Sequence, residues 1–157
     1  MENLITPEIL DLLRKESAVF ASPIHGVHHW KAVERNGYHL SNFNGADNKV
    51  ISYFAYFHDC MRTNEDEDPN HGLHGAQFAE KHRELIELNE SQFKQLTKAC
   101  EGHTDGERPK CMTINTCWDA DRLDIGRVGI IPKSEFLHST EAKRIADRMI
   151  TLPPQSF

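Results

Sequence analysis

Apolar residues recur at three- and four-residue spacings along nearly the whole chain, and the strict alternation of a half-buried strand is absent. The pattern predicts a succession of helices, most of them opened by a residue suited to cap one. Thr6-Pro7 starts a helix over about residues 7–20, and Ser22-Pro23 repeats the signal for a second that reaches about Leu40. Asp47 caps a third, Lys49 to Arg62, and the acidic, proline-containing stretch Thr63 to Asn70 is a loop. A fourth runs from about His71 to Leu88, and Ser91 caps a fifth that ends near His103. Gly102, Gly106 and Pro109 then break the pattern. A sixth covers Thr113 to Ile125, Gly129 to Pro132 is a connection, and Thr140 caps the last, which reaches about Ile150. With no internal repeat, low-complexity tract or linker, residues 1–157 read as one all-α domain.

Composition narrows the function more than the fold. At 157 residues, 38% hydrophobic and 27% charged, the chain can bury a core without disulfides. A net charge of -6 argues against a nucleic-acid partner, so an anionic substrate needs a local positive centre. The N-terminus lacks a basic and then apolar leader, and no run approaches the roughly 18 apolar residues of a membrane span. A cytoplasmic protein without a membrane partner is the expectation. Cys60, Cys100, Cys111 and Cys117 form no CxxC pair and read as reduced core fillers. Histidine is the unusual residue, with ten copies.

Where those histidines fall is informative. At about 100° per residue, Ile51, Phe54, Ala55 and Met61 lie within about 60° of His58, which puts His58 in mid-face, Asp59 at its border and Arg62 on it. Asp121 falls among Ile114, Cys117, Trp118 and Ile125, with Asp124 flanking it, whereas Asp119 points almost the opposite way and reads as solvated. His29 lies at the edge of the face set by Val27, Trp30 and Val33; His25 stands one turn earlier on that side, and His28 points away. His103 shares a face with Leu96, Ala99 and Cys100. On the fourth helix, periodicity leaves His71, His74 and His82 undecided. Each residue alone has a plain structural reading, such as a satisfied core histidine or an Asp-Arg pair. Imidazoles and carboxylates converging from several helices instead suit a divalent transition metal, Fe, Mn, Co, Ni or Zn.

The order His29, then His58-Asp59, then Asp121 within Ala120-Asp121-Arg122-Leu123-Asp124 resembles the H...HD...D signature of the HD superfamily of metal-dependent phosphohydrolases. From about Ser22 to Ile131 the chain also resembles a group of small bacterial HD proteins, through His25-Gly26, His29-Trp30, Phe57-His58-Asp59, Asp68-Pro69, His71-Gly72, Gly75-Ala76, His103-Thr104-Asp105-Gly106 and Cys117-Trp118-Asp119. The resemblance implies a compact HD-type helical domain with a metal held by His29, His58, Asp59 and Asp121. It selects His71 over His74 and His82, and places His71 and His103 where a second ion would be bound, with Asp59 as the bridge. One ion or two is left open. Arg62 stands where the nucleotidase branch has a glutamate, and the GYP motif of the cyclic-dinucleotide phosphodiesterases is absent.

The expected activity is hydrolysis of a phosphate ester, a monoester or diester, in a nucleotide or similar small metabolite. Asp59 then serves both as ligand and in catalysis. Arg62, with Arg122 second, is the candidate for binding phosphate through its guanidinium fork, and His25 the candidate proton donor to the leaving oxygen. Arg62 pairing with Asp59 or Asp124 is the structural alternative. A di-iron oxygenase and a non-catalytic metal- or nucleotide-binding module are the rival functions, and oligomeric state is not legible.

Overall fold

The computed structural model describes residues 3–151. It consists of helices α1 (Pro7–Glu16), α2 (Val27–Asn44), α3 (Asn48–Phe57), α4 (His71–Lys81), α5 (Glu90–Gly102), α6 (Met112–Leu123) and α7 (Thr140–Thr151), with short 3₁₀ turns at Arg83–Leu85, Ile125–Val128 and Ser134–Phe136. Among the described residues there is no strand.

Capping explains most of the boundaries, including those that differ from the sequence pattern. Thr6 accepts from the Ile9 N–H and Pro7 opens α1 as expected, but the helix stops at Glu16, where Ser17 turns extended. Phe20 then packs edge-on against Trp30. The expected start of α2 at Ser22-Pro23 is instead a turn, because Ser22 Oγ accepts from the N–H groups of both Ile24 and His25. Gly26 caps α2, in a space where a Cβ would meet the carbonyl oxygens of Ser22, Phe20 and Val19 at 2.4–2.6 Å. The helix then continues past Leu40 to Asn44 and is closed by Gly45 at φ 73. Asp47 caps α3 as anticipated. Asn89, not Ser91, caps α5, in a reciprocal box with Gln92. Ser139, not Thr140, offers its Oγ to the first turn of α7.

The centre of the fold is α3, in which every residue from Val50 to Phe57 is buried. A helix apolar all round must be wrapped. It is covered by α2, α4, α5 and α6, while α7 packs on α2 and α6. Trp30, Tyr53, Phe54, Phe57 and Leu96 fill the contacts, in a core that runs from Ile5 to Ala146. Cys60, Cys100 and Cys117 are buried in it and Cys111 only half so; all four are free. No helix among the described residues is long and apolar enough to cross a membrane.

Candidate metal centre

Five helices deliver side chains to one interior point. His29 comes from the first turn of α2, His58 is the C-cap of α3 with Asp59 next to it, and His71 is the first residue of α4. His103 is the C-cap of α5, and Asp121 lies in the last turn of α6. The sequence pattern carried α3 on to Arg62. The helix stops at Phe57 instead, because the His58 ring turns back and donates Nδ1–H to the carbonyls of Phe54 and Ala55, both at 3.0 Å.

The donor atoms form two groups that share Asp59, and a third candidate triad, His58, His103 and Asp121, spans them. In the first, His29 Nε2 lies 3.2 Å from His58 Nε2, 3.4 Å from Asp59 Oδ2 and 3.1 Å from Asp121 Oδ1. His58 Nε2 lies 3.3 Å from Asp59 Oδ2 and 3.5 Å from Asp121 Oδ1. In the second, Asp59 Oδ1 lies 3.3 Å from His71 Nε2 and 3.4 Å from His103 Nε2, and those nitrogens are 2.9 Å apart. Metal–ligand bonds of about 2.1 Å put ligand atoms about 3.4 Å apart in a tetrahedron and about 3.0 Å apart in an octahedron. Both groups have that spacing.

The chemistry of the donors also fits a cation. All four imidazoles spend Nδ1–H on an acceptor: His29 on Asp124 Oδ2 at 2.7 Å, His58 on its own helix, His71 on the Asp68 carbonyl and His103 on the Cys100 carbonyl at 2.7 Å. Their Nε2 lone pairs therefore converge, and lone pairs at 2.9–3.2 Å require a cation or a proton between them. Protons answer this need when no ion does. Burial opposes the charged form of His29, but the carboxylates of Asp121, Asp124 and Asp59 outweigh it and raise its pKa to about 10. His58 is raised to about 9 against its own burial by Asp59 and Asp121. Asp59 and Asp121 are held well below the usual carboxylate range despite burial, above all by the charge of His58.

A cleft of about 170 Å³ opens onto this cluster, lined by His25, Asp59, Arg62, His103, Thr104, Asp121, Arg122 and Arg127. Asp121 is correspondingly less enclosed than its helical face suggested, with 17% of its side chain exposed. Arg62 sits 3.4 Å from Asp59 Oδ1 and donates to the Asp66 carbonyl at 3.3 Å. Arg127 is tied down by donation to the carbonyls of Ile24 and Asp124. The Arg122 side chain makes no hydrogen bond or ion pair among the described residues. His25 is hydrogen-bonded through Nδ1 to Glu65. Burial lowers the His25 pKa, and the Glu65 carboxylate only partly offsets it.

Other sequence candidates lie elsewhere. His28 and His74 are exposed, and His82 follows the end of α4 with its ring against Phe78. Asp119 does point away from the cluster, but it is not solvated: it is buried and accepts the N–H groups of His138 and Ser139 at 2.8 and 2.7 Å. The chain between α6 and α7 folds back over it, a contact without periodic signature. Glu65, Thr104 and Arg127 escaped the sequence reading. Glu65 lies in an acidic loop and is found only through its long-range partner, whereas Thr104 adjoins a histidine already singled out.

No protein-family model matches the chain, and no curated protein matches it. The fold matches the crystal structure described as a predicted HD superfamily hydrolase from an uncultured Thermotogales bacterium, with a TM-score of 0.72 and 23% identity over 94% of this chain and 86% of that one. The all-helical architecture is thus of the HD type.

Proposed function

We propose that this HD-fold chain is a metal-dependent phosphohydrolase acting on a phosphate ester of a nucleotide or similar small metabolite, and that His29, His58, Asp59 and Asp121 would hold one divalent ion and Asp59, His71 and His103 a second. The observation that carries the reading is the division of Asp59, whose Oδ2 faces His29 and His58 while its Oδ1 faces His71 and His103. Asp121 completes the first set. Likeness to a solved HD protein described as a hydrolase supports it. Neutral imidazoles and carboxylates in this mixture favour Fe, Mn, Co, Ni or Zn over Mg or Ca. When bound, such ions supply Lewis acidity toward a phosphoryl oxygen and make water more acidic.

The chain's own residues account for the rest. Arg62, Arg122 and Arg127 give the cleft the local positive charge that an acidic protein needs to accept an anion. Arg62 already leans on Asp59, so its guanidinium restrains the bridging carboxylate as well as facing the substrate. Glu65 fixes the His25 tautomer, leaving Nε2 without a proton in the neutral ring. Because burial lowers its pKa, His25 is neutral near pH 7, and we assign it the acceptance of a proton from the attacking water rather than donation to the leaving oxygen.

Metal analysis of protein purified without chelators, followed by phosphatase and phosphodiesterase panels with Mn, Co, Ni, Mg and Fe added separately, tests the reading. Expected are about two ions per chain and turnover of a small phosphate ester. Two bound ions without turnover of any ester would overturn it, and iron-bound protein with oxygen-dependent turnover would replace it by a di-iron oxygenase.

A further inference from the structure

Beyond α6, the chain exposes Val128, Ile130, Ile131 and Phe136 at 43%, 52%, 55% and 56%. Four large apolar side chains within nine positions form a patch rather than the scatter normal on a surface. Ile130, Ile131 and Phe136 wall a cleft of about 280 Å³ together with Ile125, and its cations are Arg122 and Lys133. Arg122 also lines the cleft over the candidate metal centre, so the two spaces share this residue. Among the described residues, the side chains of Arg122 and Lys133 have no hydrogen bond or ion pair. An unpaired arginine that follows Asp121 and lines both the polar cleft and the apolar one matches a molecule that is anionic at one end and apolar at the other.

We infer that the cleft walled by Ile125, Ile131 and Phe136 is the subsite for the organic group of the substrate, an aromatic or heteroaromatic ring on the alcohol side of the ester, and that Arg122 grips the phosphate at the junction. The inference rests on the phosphohydrolase reading and names the substrate class that reading leaves open. At about 280 Å³ the cleft lies at the small end of ligand pockets and suits a single ring system rather than a polymer. Apolar walls select by burial, and the arginine fork sets the orientation that points the ester oxygen toward the metal centre.

Ethyl phosphate and 2-phenylethyl phosphate test this, because their alcohols are of similar acidity and differ chiefly in the ring. The metal-loaded enzyme should prefer the phenyl ester, and Phe136→Ala or Ile131→Ala should lower the ratio of the two kcat/KM values by roughly tenfold, mainly through KM. Both residues are more than half exposed, so truncation leaves the core closed. Calorimetry with the corresponding non-hydrolysable phosphonates gives a second readout, in which the phenyl compound should bind more tightly and lose that advantage in Phe136→Ala. Turnover of both esters with no preference, unchanged in the variants, would overturn the subsite while leaving the phosphohydrolase intact. Failure to hydrolyse either ester, with two ions bound, would count against the phosphohydrolase itself, and phosphonate binding would still decide the subsite. A concentration-dependent dimer abolished by Ile131→Lys would assign the cleft to a second copy of the chain and overturn the proposal.

Discussion

Two aspartates two positions apart on α6 have separate tasks. Asp121 points at His29 and His58, and its loss would remove a donor from the candidate metal centre, so Asp121→Ala should lower metal content and abolish activity. Asp119 holds the His138 and Ser139 amides in place, so Asp119→Ala should retain metal yet lose about 2–4 kcal/mol of stability, a fall in Tm of about 5–15 °C. Thermal melts and elemental analysis on the same two preparations check this; metal loss in Asp119→Ala with retention in Asp121→Ala would refute the assignment. Titration adds a second outcome. The raised pKa values of His29 and His58 mean that protonation of these rings stabilises the metal-free fold fully below pH 6.5, and that the contribution is lost as pH rises through about 9 to 10. The depressed carboxylates of Asp59 and Asp121 contribute above their usual pKa near 3.8 and lose that contribution in stronger acid. Near neutral pH an incoming ion must therefore displace protons. Calorimetry in buffers of different ionisation enthalpy should show release of on the order of one to two protons per chain, with affinity rising with pH. A binding enthalpy independent of buffer would contradict it.

At the scale of the helix, close approach of backbones decides whether the second donor group exists. A Cβ on Gly75 would lie 2.3 Å from the Phe57 carbonyl oxygen, and one on Gly72 the same distance from that of Cys100. These glycines let α4 seat on the C-terminal ends of α3 and α5, which brings His71 against His103 and Asp59. Gly75→Ala should consequently push α4 outward, reducing metal content from near two ions toward one while His29, His58 and Asp121 keep theirs; unchanged stoichiometry would show that α4 yields without moving His71. The helices themselves were legible from periodicity, since Thr6 and Asp47 cap where the pattern begins. Their ends were less so. His58 stops α3 by a side-chain bond to its own carbonyls, and Ser22 diverts two amides into a turn, neither of which alters the spacing of apolar residues. The same limit explains why periodicity could not choose among His71, His74 and His82: α4 ends at Lys81, so His82 never belonged to the face being scored. His29, His58 and Asp121 were readable because polar groups stand out on apolar faces, whereas Glu65 lies in a loop with no face to betray it.

For the molecule as a whole, ions bound by the candidate donors would tie α2, α3, α4, α5 and α6 to one another. Occupancy therefore stabilises the fold: at a free-metal concentration about 1000 times Kd, by about 4 kcal/mol per site, or about 8–16 °C in Tm. Removing metal with a chelator should lower Tm by an amount in this range and adding Mn should restore it, whereas His58→Ala should show a smaller response to both; equal melting with and without chelator would separate the ions from the fold. The meeting of helix ends has one further consequence. Three helices, α3, α5 and α6, finish at the cluster with the negative poles of their macrodipoles, each equivalent to roughly half an elementary charge, and two, α2 and α4, begin there with positive poles. The Nδ1–H groups of His58 and His103 bond to carbonyls at two of the negative poles, so the polarisation passes through the rings to the nitrogens that face the cluster. Negative poles outnumber positive ones by one, so the backbone contributes a small net attraction for cations, one that replacing a carboxylate by its amide would leave in place.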